Sequence, residues 1–258
     1  AQYLLTKTSK GVYKVFNIYG VEILGGKYTS VESLGNEYLI VEKSGKKGLF
    51  HKSGKLALKM SYDAIGNYDK GYVSTLINGK FGIYNYGKGV FLSTKYQKRL
   101  MPFGSQYFIG SKGSSLGLVD LDNKDVTGYK FEQILDWNDS VALVLEAGEW
   151  RLYDIKHDSY VFEGISEYKV LRDDEEEKIL LITKESKSGI LSNKYGEVVG
   201  ATFNDIINLG TRETPVYFCE KFIIEADFYV VIYYDAKGKI LRKQIFTDPE
   251  EYEKIYCG

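Results

Sequence analysis

One short pattern returns along the whole chain at a nearly fixed interval, and an interval of that size leaves few folds open. Aligned on KKGLFHKSGK at 46 to 55, related segments read VYKVFNIYGV at 12 to 21, KFGIYNYGKG at 80 to 89, SLGLVDLDNK at 115 to 124, EWRLYDIKHD at 149 to 158, KSGILSNKYG at 187 to 196 and VVIYYDAKGK at 230 to 239. Each is a short apolar run followed by a polar turn. The place of Gly48 is taken by Lys14, Gly82, Gly117, Arg151, Gly189 and Ile232, at intervals of 34, 34, 35, 34, 38 and 43 residues. A second marker, an aromatic followed three places on by an aliphatic, keeps step with the first: Tyr28 and Val31, Tyr62 and Ile65, Phe131 and Ile134, Tyr168 and Leu171, Phe203 and Ile206, Tyr252 and Ile255, with Tyr96 and Leu100 one place longer. Two markers in one register over seven copies define a repeat protein.

Turn chemistry counts the strands inside a unit. In residues 72 to 103, Asn78-Gly79 between two alternating runs signals a type I′ hairpin, which needs positive φ at both central positions. A second turn, Tyr86 to Gly89, follows, and a further extended piece runs around Tyr96 to Phe103. Strands of about 5 residues with tight turns fill such a unit with four strands. The fold class expected is therefore all-β, seven short antiparallel β-repeat units in a single repeat domain, 1–258, with approximate units 3–35, 36–69, 70–104, 105–138, 139–176, 177–215 and 216–258. A lone sheet of this size cannot bury its faces, so the units stack, either as a seven-bladed β-propeller, favoured because closure protects edge strands, or as an open β-superhelix of stacked hairpin units. Helical signal is confined to the tail, where Asp248 is an N-cap candidate and Pro249 takes the first helical position.

The units that hold GKKGLFHKSGKLALKMSYDAI, 45 to 65, and NGKFGIYN, 78 to 85, resemble the WG-repeat family of bacterial proteins. That family's unit reads glycine-lysine-tryptophan-glycine-leucine, a glycine turn, an apolar run, then tyrosine-aspartate and an aliphatic. The family's Trp is Lys47, Phe81, Leu116 and Ser188 here, and only Trp150 keeps the indole, beside Arg151 in place of Gly. The resemblance implies a β-repeat architecture over nearly the whole chain, built from degenerate copies.

Composition agrees with strands and names no partner. Tyr at 23, Phe at 13 and Gly at 27 against Pro at 3 suit strands joined by tight turns. The balance of 34 basic and 35 acidic side chains provides no field for nucleic acid or an anionic membrane, and no apolar run is long enough to span a bilayer. Cys219 and Cys257 are too few for a disulfide framework; one bridge and two unpaired thiols both stay open. The start AQYLL, without Met, reads as a processed export product and predicts a secreted or periplasmic protein, with a truncated chain and a cytoplasmic location the alternatives.

No motif carries chemistry. His51 and His157 sit at turns, and two histidines do not make a histidine-based zinc site. Asp120, Asp122 and Asp125 offer oxygens for calcium but read better as turn residues, and GSKGSSLG at 110 to 117 precedes a strand where a phosphate loop needs a helix. The run RDDEEEK at 172 to 178 reads as a solvated loop held extended by like charges. No cofactor and no metal are expected. The partner-binding or ligand-binding candidates are Asp173, Asp174, Glu175 and Glu176 of that loop, together with Trp137, Tyr107 and Tyr72, aromatics outside the repeat pattern and near turns. The function expected is a non-catalytic binding or scaffolding repeat protein that presents a loop face, marked by the connections at 172 to 178 and 208 to 215, to a protein or glycan partner. A carbohydrate-active enzyme with a carboxylate pair at the centre of a propeller and a purely structural spacer are the alternatives.

Overall fold

Short runs of alternating apolar and polar residues, broken by two-residue turns, give strands that are antiparallel to their chain neighbours. The computed structural model describes residues 3–67 and 71–247. The Tyr252 and Ile255 pair, the Asp248 and Pro249 helix start and Cys257 lie outside them. The chain divides into two compact units, Ala1–Lys130 and Phe131–Gly258.

The first unit holds four sheets. Sheet one is β1 (Tyr3–Lys7), β2 (Tyr13–Asn17) and β3 (Glu22–Tyr28); sheet two is β4 (Ser30–Leu34), β5 (Tyr38–Lys43), β6 (Lys46–His51) and β7 (Leu56–Tyr62). Sheet three is β8 (Ala64–Asn67), β9 (Tyr72–Ile77), β10 (Lys80–Asn85) and β11 (Val90–Tyr96); sheet four is β12 (Met101–Phe103), β13 (Tyr107–Lys112) and β14 (Ser115–Asp120). The second unit holds three more sheets: β15 (Gln133–Asp136) to β18 (Ser159–Ile165) through β16 (Val141–Glu146) and β17 (Glu149–Asp154); β19 (Glu167–Asp173) to β22 (Gly196–Phe203) through β20 (Lys178–Lys184) and β21 (Lys187–Ser192); β23 (Asp205–Asn208) to β26 (Ile240–Phe246) through β24 (Val216–Ile223) and β25 (Phe228–Asp235). The protein is thus nearly all-β, with seven antiparallel sheets of three or four strands and, among the described residues, one short 3-10 turn at Ile224–Ala226.

The grouping of strands differs from the predicted units by one strand. The extended piece expected to finish each unit opens the next sheet instead, so that sheet three begins at Ala64 and sheet seven at Asp205. The aromatic and aliphatic marker explains the offset, because it straddles a seam: Tyr62 ends β7 and Ile65 lies in β8, both buried in one cluster with Leu49, Leu58 and Val73.

Three local devices repeat. The Trp-type position pairs with the residue fifteen places on: Tyr13 with Tyr28, Lys47 with Tyr62, Phe81 with Tyr96, Trp150 with Ile165 and Ser188 with Phe203. That register corrects the marker in the fifth unit, where Ile165, fully buried, takes the aromatic place and Tyr168 the aliphatic one. A bulge follows each pair; Lys14 and Arg151 occupy it in two of them, and Gly48, Gly82 and Gly189 in the other three, where the outer strand comes too close for a side chain. A Cβ at Gly82 would lie 2.6 Å from the Leu92 carbonyl oxygen, one at Gly189 would lie 2.8 Å from the Ala201 Cα, and one at Gly117 would overlap the Gly128 carbonyl.

The second device is the turn after each third strand. Asn17, His51, Asn85, Asp120, Asp154, Ser192 and Asp235 each accept a backbone N–H from two to four residues ahead, which closes the turn locally. Asp120 is committed in this way, and Asp125 accepts from the Tyr129 hydroxyl at 3.0 Å.

The third device fastens one sheet to the next. The residue after the aromatic donates its amide to the second strand of the following sheet: Thr29 to Glu42 O, Asp63 to Leu76 O, Glu132 to Leu145 O, Ser166 to Thr183 O and Asn204 to Glu220 O, at 2.7 to 2.8 Å. Its side chain bonds the same hairpin. Asp63 Oδ2 accepts from Asn78 N, Glu132 Oε1 from Gly148 N and Asn204 Oδ1 from Phe222 N, while the Thr29 and Ser166 hydroxyls donate to Glu42 O and Thr183 O. The hydrogen bonds from Lys46 and Asn78 hold the Asp63 carboxyl below its ordinary range. Asn78 and Gly79 both have positive φ, as the I′ turn requires.

Candidate functional site

Turns that join first to second and third to fourth strands lie at one end of each antiparallel sheet, and in the first unit that end carries a cleft of about 530 Å³. Its walls come from the start of β5 (Tyr38), the end of β6 and its turn (His51, Ser53, Lys55), and β10 with its turn (Tyr84, Tyr86, Lys88). The Tyr38 ring lies 4.9 Å from that of Tyr86 and 5.1 Å, edge to face, from the His51 imidazole. The Tyr38 hydroxyl donates to the Tyr86 carbonyl at 2.8 Å, which fixes both side chain and turn. Because His51 Nδ1 accepts the Ser53 N–H at 3.1 Å, the neutral imidazole carries its own proton on Nε2. Burial raises the Tyr84 phenol above its ordinary value, so it stays a protonated donor at neutral pH. Lys55 and Lys88 are exposed at the rim.

A second cleft of about 170 Å³ adjoins it and shares Lys88. Here the structure brings Tyr72 and Tyr107 together, with Pro102, Ser105 and Phe108; the Tyr72 ring packs edge to face on Phe108 at 5.2 Å. Tyr72 is buried and Tyr107 half-buried. Tyr38, Tyr72 and Tyr107 hold one repeat position, the first residue of the second strand, separated by 34 and 35 residues. Sequence reasoning singled out two of the three and passed over Tyr38, although the period pointed to it. Far from standing outside the repeat, as expected, Tyr72 and Tyr107 are part of it.

The remaining candidates lie in the second unit. Trp137 is buried, in a cluster with Leu143, Leu152 and Leu180, and with Asp173, Asp136, Tyr168, Val170 and Lys178 it lines a cleft of about 190 Å³. The acidic run is not held open by like charges. Arg172 gathers it: Nε lies 2.7 Å from Asp174, and the terminal nitrogens 2.9 Å from Glu176 and 3.5 Å from Glu177. Asp174 Oδ1 also accepts the amides of Glu176 and Glu177, and the guanidinium holds its carboxyl at about 2. Lys178 donates to the Asp136 carbonyl at 2.8 Å and to its carboxylate at 3.0 Å. Arg212, from the connection between β23 and β24, reaches Asp174 at 3.6 Å, so the two long connections meet. Glu175 is exposed. The tyrosine clefts are lined by residues of the first unit and this one by residues of the second.

Among the described residues no group of three or more His, Cys, Asp and Glu side chains is placed to hold a metal, and no helix is long and apolar enough to cross a membrane. Burial pushes the Cys219 thiol up to about 12.

A chain of seven antiparallel sheets on a period near 34 residues is a β-repeat protein. More particularly, residues 48–81 match the family model of the WG containing repeat, so the chain carries a repeat of that type across sheets two and three. No curated protein matches the chain. Similar solved structures include a eukaryotic initiation factor (10% identity, 96% of this chain and 97% of that one, TM-score 0.35), Hsv2 of Kluyveromyces lactis (9%, 94% and 95%, 0.33) and apo AztD of Citrobacter koseri (13%, 72% and 65%, 0.34).

Proposed function

We propose that the protein is a non-catalytic binding repeat protein and that, of the protein and glycan partners considered, it takes a saccharide along the turn end of sheets two to four. The observation that carries this reading is the row of Tyr38, Tyr72 and Tyr107 at one repeat position in three consecutive sheets, in two adjoining clefts joined at Lys88. Sugar rings present an apolar face that packs on an aromatic ring, and hydroxyls that bond the tyrosine tip, backbone groups and ammonium donors at the rim. A row with the period of the fold suits a ligand with a period of its own. The lining of the larger cleft, aromatic and cationic, favours holding a ring and an acidic substituent over a carboxylate pair that cleaves a glycosidic bond.

A glycan array probed with the purified protein, followed by titration calorimetry, tests the proposal. Retention of an oligosaccharide, weakened about three- to tenfold by Tyr86→Ala with an unchanged circular dichroism spectrum, is the expected result. An array without a hit, or a hit indifferent to both Tyr86→Ala and Lys88→Ala, overturns it.

A further inference from the structure

Within the two units the steps from one sheet to the next at Thr29, Asp63, Ser166 and Asn204 have one length, and the step from sheet three to sheet four is longer. There Tyr96 is followed by Gln97, Lys98, Arg99 and then Leu100, one residue more than elsewhere. Beside this longer connection lies a cleft of about 280 Å³. Gln97 and Ser111 line it, with Lys80, Lys95, Lys112, Asp125 and Tyr129 around them.

Ser111 is 9% exposed, and its buried hydroxyl has no hydrogen-bond partner. Native proteins leave few such groups unsatisfied, so a buried hydroxyl lining a cleft marks a place for a ligand atom. The charges around it are lopsided. Lys80 stands just after the Asn78-Gly79 turn and Lys112 just before Gly113, so short hairpins set where both leave the backbone, and neither makes an ion pair among the described residues. Lys95 lies over the Tyr96 ring at 5.3 Å and reaches the Asn123 carbonyl at 3.4 Å. Against these three ammonium groups the lining has one carboxylate, Asp125, already accepting from Tyr129.

We propose that this seam is an oxyanion site that takes the phosphate or sulfate ester of a hydroxylated small molecule. Ammonium groups bind such a group as point charges from several sides, the Ser111 hydroxyl and the Gln97 side chain supply directed donors, and Asp125 accepts from a hydroxyl of the molecule that carries the ester. The site lies at the hairpin end of sheets three and four, opposite the tyrosine clefts, and its occupation does not depend on theirs.

Calorimetry and amide chemical-shift titration of the whole protein with glucose 6-phosphate, glucose 6-sulfate, inorganic phosphate, inorganic sulfate and glucose test the proposal. Saturable binding of at least one ester is expected, with shifts at Ser111 and Gln97, weakening at higher salt and falling at least tenfold in K80Q/K112Q; glucose alone leaves the Ser111 and Gln97 amides unshifted. Inorganic ions that bind as tightly as the esters still support an oxyanion site and assign its source as the free ion. No binding by any oxyanion up to about 10 mM, or binding that K80Q/K112Q and S111A both leave unchanged, overturns it. Tyr86→Ala leaves this titration as it is, so failure here and failure of the saccharide reading are told apart.

Discussion

At the scale of single residues, the period is written in side chains whose reasons differ. Gly48, Gly82 and Gly189 are spaces rather than hinges, each leaving room for a neighbouring strand that bulges toward it, and Gly117 leaves the same room for the loop carbonyl of Gly128. Gly117→Ala puts a methyl group into the Gly128 carbonyl and is expected to cost about 1–3 kcal/mol, read as a fall of several degrees in thermal midpoint, whereas Gly25→Ala, with open space around it, stays within about 0.5 kcal/mol. Equal losses in both variants would show that backbone entropy, not the close approach, is why glycine is there. The turn position is freer, since Asn, Asp, Ser and even His51 supply the one acceptor it needs.

At the scale of elements, strands were legible because their turns were. Asn78-Gly79 announces its hairpin, while the equivalent Glu185 and Ser186, both with positive φ, carry no such signal, and there the period alone supplied the turn. What the sequence did not yield was which sheet a strand joins. A pattern of period two reads the same from either side, and only hydrogen bonds show that the strand after each seam pairs forward. The fifth unit misled for a related reason: Ile165 and Tyr168 fill the seam with the aromatic and the aliphatic exchanged, and Tyr168 packs edge to face on Trp150 at 5.0 Å. The acidic run misled because its order does not show that Arg172, the first residue, turns back onto Asp174, Glu176 and Glu177. Seam bonds have a direct readout. In native-state hydrogen exchange the amides of Thr29, Asp63, Glu132, Ser166 and Asn204 are expected to be protected and that of Gln97, in the longer third connection, to exchange fast; a protected Gln97 amide would show that the extra residue is taken up elsewhere.

At the scale of the whole molecule, stability is spread over repeats that each bury a small cluster, as in Leu34, Leu49 and Leu58 of sheet two or Ile179, Ile190 and Val199 of sheet six. A chain cut between Lys130 and Phe131 leaves every sheet whole. Both halves are therefore expected to keep a β-type far-UV spectrum and a thermal transition; a coil spectrum from either would mean that its sheets cannot stand without the rest. The seam bonds also give the chain a direction. Within each unit, at Thr29 and Asp63 in the first and at Ser166 and Asn204 in the second, a residue leaving one sheet hooks the hairpin of the sheet after it. Under mechanical load the sheets within a unit behave like snap fasteners that all face one way. Peeling a unit from its C-terminal side frees a hook but leaves the earlier sheet capped, whereas peeling it from its N-terminal side pulls the cap from the next hairpin, so the two ends of a unit resist force unequally.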